Sequence, residues 1–254
     1  MENKNIKYES KQIMQFYSSN RQRWEELYPS EQWVFSRVST SVSGGMGNVL
    51  DVGCACGGLG KALSEKLALC SYTGVDINND AIEWAKQELH LPIPTRLIAG
   101  DIMDLDLDQQ YDTVVSLSCA DWNIETLSII KTCWERVKPG GFLIISLRLT
   151  PENGVNDISQ SYQYINFSAD EVNPEVANYV VLNFMDALGI MKNMQPAPES
   201  VGAYGYWGQP SKTAVTKFDK LVFAVFYIKK GVQTTSTDDI QTEFYLPAGI
   251  YYRS

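Results

Sequence analysis

The chain has 254 residues, of which 44% are hydrophobic and 20% charged, a composition typical of one large soluble domain with a filled core. Its formal net charge of -9 disfavours a nucleic-acid substrate, because proteins that bind phosphate backbones usually present a basic face. No signal peptide or membrane span is predicted, and the 5 cysteines lack the spacing of a disulfide framework. We therefore expect a cytoplasmic protein that does not engage membranes.

The pattern of hydrophobic residues predicts alternating strands and helices. Residues 10–40 read as two helices broken near Pro29, and the alternation begins at Asn48. The predicted strands have the sequences NVLDVG, YTGVD, TRLIA, DTVVSL, FLIISL and KLVFAVFYIK. A further helix is predicted from Asn173 and Pro174 to Gly189. Such alternation indicates a mostly parallel sheet with helices on both faces.

The segment VLDVGCACGGLG joins the first predicted strand to its helix. Gly53 ends the strand, and the small residues Ala55, Gly57 and Gly58 keep the turn free of bulky side chains. A ligand can then approach the backbone, whose N–H groups point at it. The loop alone would also fit an ordinary strand-to-helix turn.

Two acidic residues make a ligand site the better interpretation. Asp76 ends the second strand about 20 residues beyond the loop, where a carboxylate can accept hydrogen bonds from ribose hydroxyls. Asp101 ends the third strand, where a carboxylate can accept from the amino group of an adenine. The carboxyl ends of three strands on one sheet edge therefore predict a nucleoside site.

At this point the chain resembles the class I S-adenosylmethionine-dependent methyltransferases, from about Val49 to Leu147. The first motif of the family is matched by DVGCACG, and its fourth-strand and fifth-strand signatures by YDTVVSLS and RVKPGGFLIIS. The match departs at Ala55 and Cys56, where G-x-G is the commonest form. The resemblance implies an α/β fold with a Rossmann-like doubly wound sheet of seven strands, the last antiparallel, and helices on both faces.

The resemblance also implies the cofactor, S-adenosylmethionine, and its product, S-adenosylhomocysteine. The residues expected to bind it within the domain are Asp51, Gly53, Cys54, Ala55, Asp76, Ile77, Asp101, Ile102 and Ser116. Tyr17 and Trp24 are expected to bind it from the N-terminal helices, since an aromatic face favours a sulfonium cation. The alternative for these two aromatics is packing beside the sheet.

Three regions are expected along the chain. Residues 1–47 would form a helical lid, residues 48–230 the methyltransferase domain, and residues 231–254 a C-terminal tail with no predicted element. Insertions at 148–174 and 190–219 would form the acceptor site, because ligands bind at the carboxyl ends of the strands in such sheets. The residues expected to contact the acceptor are Trp122, Arg148, Tyr204, Tyr206 and Trp207. The last three belong to GAYGYWG, which would form a flexible aromatic wall over the acceptor or pack under its own neighbours.

Asp121 is the expected catalytic residue. His90 is the only histidine, and it is predicted to lie on the surface away from the ligand edge, so a carboxylate is the available base for a hydroxyl acceptor. Asp121 could instead cap the helix predicted to begin near Asn123. No metal site is expected, since the chain lacks a cluster with metal-ligand spacing.

The expected acceptor is a small polar molecule, with an oxygen of a sugar ranked first. The D/N-P-P-Y/F motif of nucleic-acid base methyltransferases is absent after the fourth strand. Two alternatives stay open. One is a non-catalytic S-adenosylmethionine-binding domain; the other is a nicotinamide-dependent dehydrogenase, which Ala55 disfavours by replacing the second glycine of G-x-G-x-x-G. The sequence gives no prediction of oligomeric state.

Overall fold

A computed structural model describes residues 11–41, 45–165, 174–232 and 239–252. Its helices are α1 (Lys11–Tyr17), α2 (Pro29–Ser41), α3 (Gly58–Lys66), α4 (Asn79–Glu88), α5 (Thr126–Glu135) and α6 (Phe184–Lys192). Its strands are β1 (Gly47–Val52), β2 (Leu69–Asp76), β3 (Thr95–Ala99), β4 (Tyr111–Ser116), β5 (Val137–Thr150), β6 (Tyr162–Tyr164), β7 (Val176–Asn178), β8 (Leu182–Asn183), β9 (Pro198–Gly208), β10 (Ala214–Val215), β11 (Leu221–Lys230) and β12 (Gln241–Tyr245).

Within the described residues, one sheet of 9 strands forms the centre of the fold. Eight of them follow the spatial order β12-β9-β11-β5-β4-β1-β2-β3, and β8 pairs with β5. The pairs from β3 to β5 are parallel, whereas β11 runs antiparallel between β5 and β9. The predicted Rossmann-like fold is therefore confirmed, with β11 as its antiparallel strand and with β8 and β12 as additions.

Helices pack on both faces of this sheet. Successive residues of a strand point to opposite faces, so each strand contributes side chains to the packing on both. Val49 of β1 packs in a cluster with residues of α2 and α3, while Leu50 packs in a second cluster with residues of α5 and α6. Phe226 and Tyr227 of β11 divide between the same two clusters. The core thus consists of two layers, one on each face.

The connection that enters β11 differs from the sequence expectation. The predicted flexible wall GAYGYWG, within 190–219, is instead part of β9. This strand pairs with β11 on one side and with β12 on the other. Its glycines make room for neighbours, since a Cβ atom on Gly202 would collide with the ring of Tyr227. The sequence did not predict this strand because glycines and aromatic residues occupy positions where strands usually carry aliphatic residues.

The helix predicted from Pro174 begins ten residues later, at Phe184. Asn173 lies outside the described residues. The preceding segment is extended because β7 pairs with β6, and the side chain of Asn183 accepts hydrogen bonds from the N–H groups of Met185 and Asp186 to cap the helix. Strands β6, β7 and β10 form a separate three-stranded sheet, with β6 in the first predicted insertion, β10 in the second, and β7 just after the first.

The C-terminal tail, left without a predicted element, completes the large sheet. β12 pairs in parallel with β9, and a short 3-10 turn at Ala248–Tyr251 follows it. Ile250 in this turn is only 1% exposed and packs in the core with α6. Glu243 of β12 also forms a salt bridge of 3.0 Å with Arg37 of α2. Among the described residues no helix is long and apolar enough to cross a membrane.

The buried tail leads to a stability prediction. Ile250→Ala should lower the free energy of unfolding by about 2–5 kcal/mol, because it removes buried methyl groups and leaves a cavity. The control is Val232→Ala at a side chain that is 71% exposed, which should change stability by less than about 0.5 kcal/mol. Chemical denaturation of both variants measures the difference. Equal stabilities would show that the tail does not belong to the core.

Candidate active site

The loop after β1 has an unusual backbone that the sequence only partly explains. Gly53 has a φ of 79°, and a Cβ atom there would lie 2.5 Å from the Sγ atom of Cys119, so only glycine lets this loop approach the turn after β4. Ala55 has a φ of 46°, although an L-residue with a side chain is strained in this region. Both residues line a deep cavity at the carboxyl ends of the strands.

Asp76 holds the strained loop in place. Its Oδ2 atom accepts the N–H of Ala55 at 2.7 Å, and its Oδ1 atom accepts the N–H of Asn78 at 2.8 Å. Burial raises the pKa of Asp76, while these two backbone hydrogen bonds oppose the rise. The carboxylate therefore joins the loop after β1 to the end of β2, and each oxygen keeps a second lone pair for a ligand.

Most residues expected to bind the cofactor meet in this cavity, which we call the cofactor cavity. Those in its lining are Tyr17, Asp51, Gly53, Cys54, Ala55, Asp76, Ile77, Asp101 and Ile102. Trp24 and Ser116 are not in the lining. Trp24 packs on Phe35 of α2 with ring centroids 6.5 Å apart, and Ser116 is fully buried at the end of β4.

Sequence reasoning missed several residues of the cofactor cavity. Asn20 and Arg21 follow α1 and join Tyr17 in one wall, and Cys119 contributes from the turn after β4. The signal for Arg21 would have been the acidic Glu31 ten residues later, because the two form a partly buried salt bridge of 2.7 Å. His90 is exposed and lies away from this cavity, as the sequence predicted.

A second cavity of about 420 Å³ adjoins the first, and we call it the acceptor cavity. The two share Ser118 and Trp122 in the loop after β4. Ser118 has a φ of 49°, and its backbone N–H donates to the Oγ atom of Ser146 on β5 at 2.7 Å. A strained residue at the junction of two cavities is typical of a functional site.

Arg148 and Tyr206 line the acceptor cavity, together with the predicted Trp122. Tyr204 and Trp207 do not. Tyr204 packs on Trp33 of α2 with centroids 5.6 Å apart, and Trp207 points to the opposite face of β9 from its neighbour Tyr206. Of the three predicted aromatics of this strand only Tyr206 lines the cavity, because Trp207 lies on the opposite face and Tyr204, on the same face as Tyr206, packs on Trp33 instead.

Asp121 also lines the acceptor cavity, and its partner is Arg148 on β5. The Nε atom of Arg148 donates to Oδ2 of Asp121 at 2.7 Å, and its Nη2 atom donates to the backbone carbonyl of Asp121 at 2.8 Å. The Oδ1 atom is buried and has no hydrogen-bond partner in the part of the chain that is described. Helix capping is excluded for Asp121, since α5 begins later, at Thr126.

The guanidinium of Arg148 is fixed on two sides by aromatic rings. Its Cζ atom lies 3.8 Å from the centroid of Tyr179 and 5.4 Å from that of Trp122. Tyr179 follows β7 and lies beyond the predicted insertion 148–174, and its backbone was not predicted to be near the site. This contact with Arg148 joins segments that sequence spacing could not connect. Within the predicted insertion, Gln163 lines the acceptor cavity.

Residues 49–141 match a family described as "Methyltransferase domain". A malonyl-[acyl-carrier protein] O-methyltransferase from Priestia megaterium is 28% identical over 142 residues, or 54% of this chain and 52% of that protein. A ubiquinone biosynthesis O-methyltransferase from Pseudomonas savastanoi pv. phaseolicola is 31% identical over 121 residues, or 45% of this chain and 48% of that protein. The matches thus span about half the length of these curated relatives.

The fold has solved counterparts. The crystal structure of an S-adenosylmethionine-dependent methyltransferase from Clostridium acetobutylicum has a TM-score of 0.53, with 16% identity over 79% of this chain and 90% of that one. At this identity the likeness shows the fold alone. Together with the family match, it confirms the resemblance on which the sequence analysis relied.

The strain at Ala55 yields a prediction. Ala55→Gly should raise the free energy of unfolding by up to about 1 kcal/mol, because glycine adopts positive φ without steric cost and only part of the gain is lost to unfolded-state entropy. The hydrogen bond from residue 55 to Asp76 stays available. Thermal unfolding measures the change. A clear loss of stability would show that the alanine methyl packs favourably and that the loop is unstrained.

Asp51 yields a pH prediction. Burial raises its pKa to about 7; the hydrogen bond from Tyr72 opposes this rise, and the charge of Asp76 adds to it. An unfolded aspartate titrates near pH 4, so the free protein should lose stability as the pH rises from about 4 to 7, by up to roughly 4 kcal/mol from this residue. Asp51→Asn should remove that loss. Denaturation at about pH 5 and pH 8 tests this, and a variant whose advantage does not grow with pH would contradict it.

Proposed function

We propose that this chain, whose residues 49–141 belong to the class I S-adenosylmethionine-dependent methyltransferase family, transfers a methyl group to an oxygen of a small polar acceptor. A sugar hydroxyl is the first candidate. The observation that carries the proposal is the junction of the cofactor and acceptor cavities at Ser118 and Trp122. Methyl transfer needs two ligands in contact at one point, and positioning supplies much of the rate.

The residues of the cofactor cavity fit S-adenosylmethionine, with S-adenosylhomocysteine as the product. Asp76 would accept hydrogen bonds from the ribose hydroxyls, and Asp101 one from the adenine amino group. The apolar side chains of Ile77 and Ile102 line the same cavity and would hold the adenine ring. The loop after β1 offers backbone close to the ligand, since Gly53 has no side chain there. When bound, the cofactor supplies an electrophilic methyl group.

Asp121 is the proposed group for the hydroxyl proton of the acceptor. Its Oδ1 atom is an unused acceptor in a residue that lines the acceptor cavity, and its Oδ2 atom is fixed by Arg148. As the acceptor oxygen is methylated, Oδ1 would accept its hydroxyl proton, while the bound cofactor would supply the methyl group and leave as S-adenosylhomocysteine. Arg148 acts as a positioning residue, since it holds the carboxylate in one orientation.

An oxygen acceptor also has precedent among the relatives, because both are named O-methyltransferases. The acceptor cavity is walled by segments from the two insertions: Gln163 lies on β6, while Gln209 and Ser211 lie between β9 and β10. Their amide and hydroxyl groups can donate and accept hydrogen bonds. We therefore propose 148–174 and 190–219 as acceptor-binding insertions, although the second also supplies strand β9.

The N-terminal region is proposed as a lid only in part. Tyr17, Asn20 and Arg21 line the cofactor cavity, whereas α2 packs on β9 and β11. The lid would therefore end at Arg21, and residues from Trp24 onward would anchor it to the sheet.

The lid proposal is tested at Tyr17. Tyr17→Ala should weaken binding of S-adenosylmethionine by about 0.5–2 kcal/mol and that of the uncharged S-adenosylhomocysteine by less, because an aromatic face attracts a cation. Gln15→Ala, at an exposed side chain of α1 outside the cofactor cavity, is the control and should leave both affinities unchanged. Calorimetric titration of each variant with each of the two ligands measures these affinities. Equal losses in the two variants would contradict a lid that contacts the cofactor.

The role of Asp121 is tested by turnover. Asp121→Asn should lower the rate of S-adenosylhomocysteine formation about 10²–10⁴-fold with neutral methyl glycosides as acceptors, since an amide cannot take the proton. Asp108→Asn, at an exposed carboxylate outside both cavities, is the matched control. Cofactor affinity should be the same in both. A rate within a few fold of the control would exclude Asp121 as the base, and absence of turnover in the unaltered protein would favour a non-catalytic binding domain.

A further inference from the structure

The acceptor cavity contains few charged groups. Of the side chains in its described lining, only Glu31, Asp121 and Arg148 carry a formal charge at neutral pH. Each of the two carboxylates is bound to its own arginine. Glu31 pairs with Arg21, which lines the neighbouring cofactor cavity, and Asp121 pairs with Arg148.

In the first pair, both carboxylate oxygens already accept a hydrogen bond. Oε1 of Glu31 accepts from Nη2 of Arg21 at 2.7 Å, and Oε2 accepts the backbone N–H of Tyr28 at 2.8 Å. Glu31 is 2% exposed, so its two acceptors are satisfied inside the protein. Its charge is compensated before any ligand arrives.

The second pair leaves one atom of each partner without a hydrogen bond. Two nitrogen atoms of Arg148 already donate to Asp121, while the third, Nη1, is buried and has no partner among the described residues. Asp121 keeps the unpartnered oxygen Oδ1 and is itself 4% exposed. A buried acceptor without a donor is costly, and a ligand hydroxyl would satisfy it.

The remaining walls are neutral. They combine hydroxyl and amide groups with the rings of Trp122, Tyr206 and Phe223. Tyr206 and Phe223 stack with centroids 6.4 Å apart, and burial raises the pKa of Tyr206, which therefore stays uncharged at neutral pH. Such walls suit a ring that has apolar faces and a polar edge.

We propose that the acceptor cavity selects an uncharged polyhydroxylated molecule and rejects acceptors that carry a carboxylate or phosphate. This specificity rests on the methyltransferase function proposed above and goes beyond it, because it assigns charge selection to the Asp121–Arg148 pair. A ligand hydroxyl can donate to the Oδ1 atom of Asp121 and accept from the Nη1 atom of Arg148. An anion could accept from Nη1 but would face the unpartnered carboxylate oxygen, and Asp121 already balances the charge of this arginine.

The first test compares matched acceptors. The protein is incubated with S-adenosylmethionine and the methyl glycosides of glucose, galactose and mannose, each beside its uronic acid, and S-adenosylhomocysteine is measured. At least one neutral glycoside should exceed its acidic counterpart by tenfold or more. Equal or faster turnover of the acids would overturn the proposal. Turnover of none would also overturn it, while intact calorimetric binding of S-adenosylhomocysteine would leave the cofactor assignment standing.

The second test changes the charge of the cavity. Malonate is titrated into protein saturated with S-adenosylhomocysteine, and the fluorescence of the tryptophans, which include Trp122 beside Arg148, reports binding. The unaltered protein should show no saturable binding, and Asp121→Asn should bind malonate at least about tenfold more tightly, because the cation is then uncompensated. The double variant Asp121→Asn/Arg148→Gln should again show no saturable binding of malonate. Malonate binding by the unaltered protein, or none by a folded Asp121→Asn, would contradict charge selection by this pair.

Discussion

The carboxylate of Asp76 is the contact on which the site geometry depends. It accepts the N–H of Ala55 at 2.7 Å and that of Asn78 at 2.8 Å, and so fixes the loop after β1 against the end of β2. With the loop in this position, Gly53 lies against Cys119 in the turn after β4. Three strand ends are thereby brought around one cavity. The strain of a left-handed alanine is tolerated because a hydrogen bond to a buried carboxylate offsets it.

Two ion pairs then define what adjoins that cavity. Arg21–Glu31 connects the end of the proposed lid to α2, and Arg148–Asp121 connects β5 to the loop after β4. Arg148 and Asp121 are both buried, and such a pair contributes little net stability because desolvation opposes the attraction, but breaking it costs about 3–5 kcal/mol. Its effect is therefore to hold one arrangement. Each carboxylate of the acceptor cavity is compensated by an arginine, of which Arg21 lines the cofactor cavity, and this compensation is the basis of the proposed preference for a neutral acceptor.

The sequence predicted those parts of the site that local pattern encodes. Asp76 and Asp101 each end a strand, and the small residues after β1 mark the loop, so the cofactor cavity could be located from spacing alone. The acceptor cavity could not, because its key contacts join distant segments, as Tyr179 against Arg148 shows. Strand β9 was missed for a different reason. Gly202 is required in β9 because the ring of Tyr227 on the neighbouring strand β11 leaves no room for a Cβ atom. Such glycines make the segment resemble a loop in the sequence.

Calorimetric titration with S-adenosylhomocysteine tests the central claim, that the cavity around Asp76 binds this cofactor. The unaltered protein should bind it, and Asp76→Ala should bind it roughly ten- to a hundredfold more weakly, because charge-assisted hydrogen bonds to the ribose are lost. Asp80→Ala, at an exposed carboxylate in the first turn of α4, should bind like the unaltered protein. Absence of binding to the unaltered protein, or equal affinity in the Asp76 and Asp80 variants, would contradict the account.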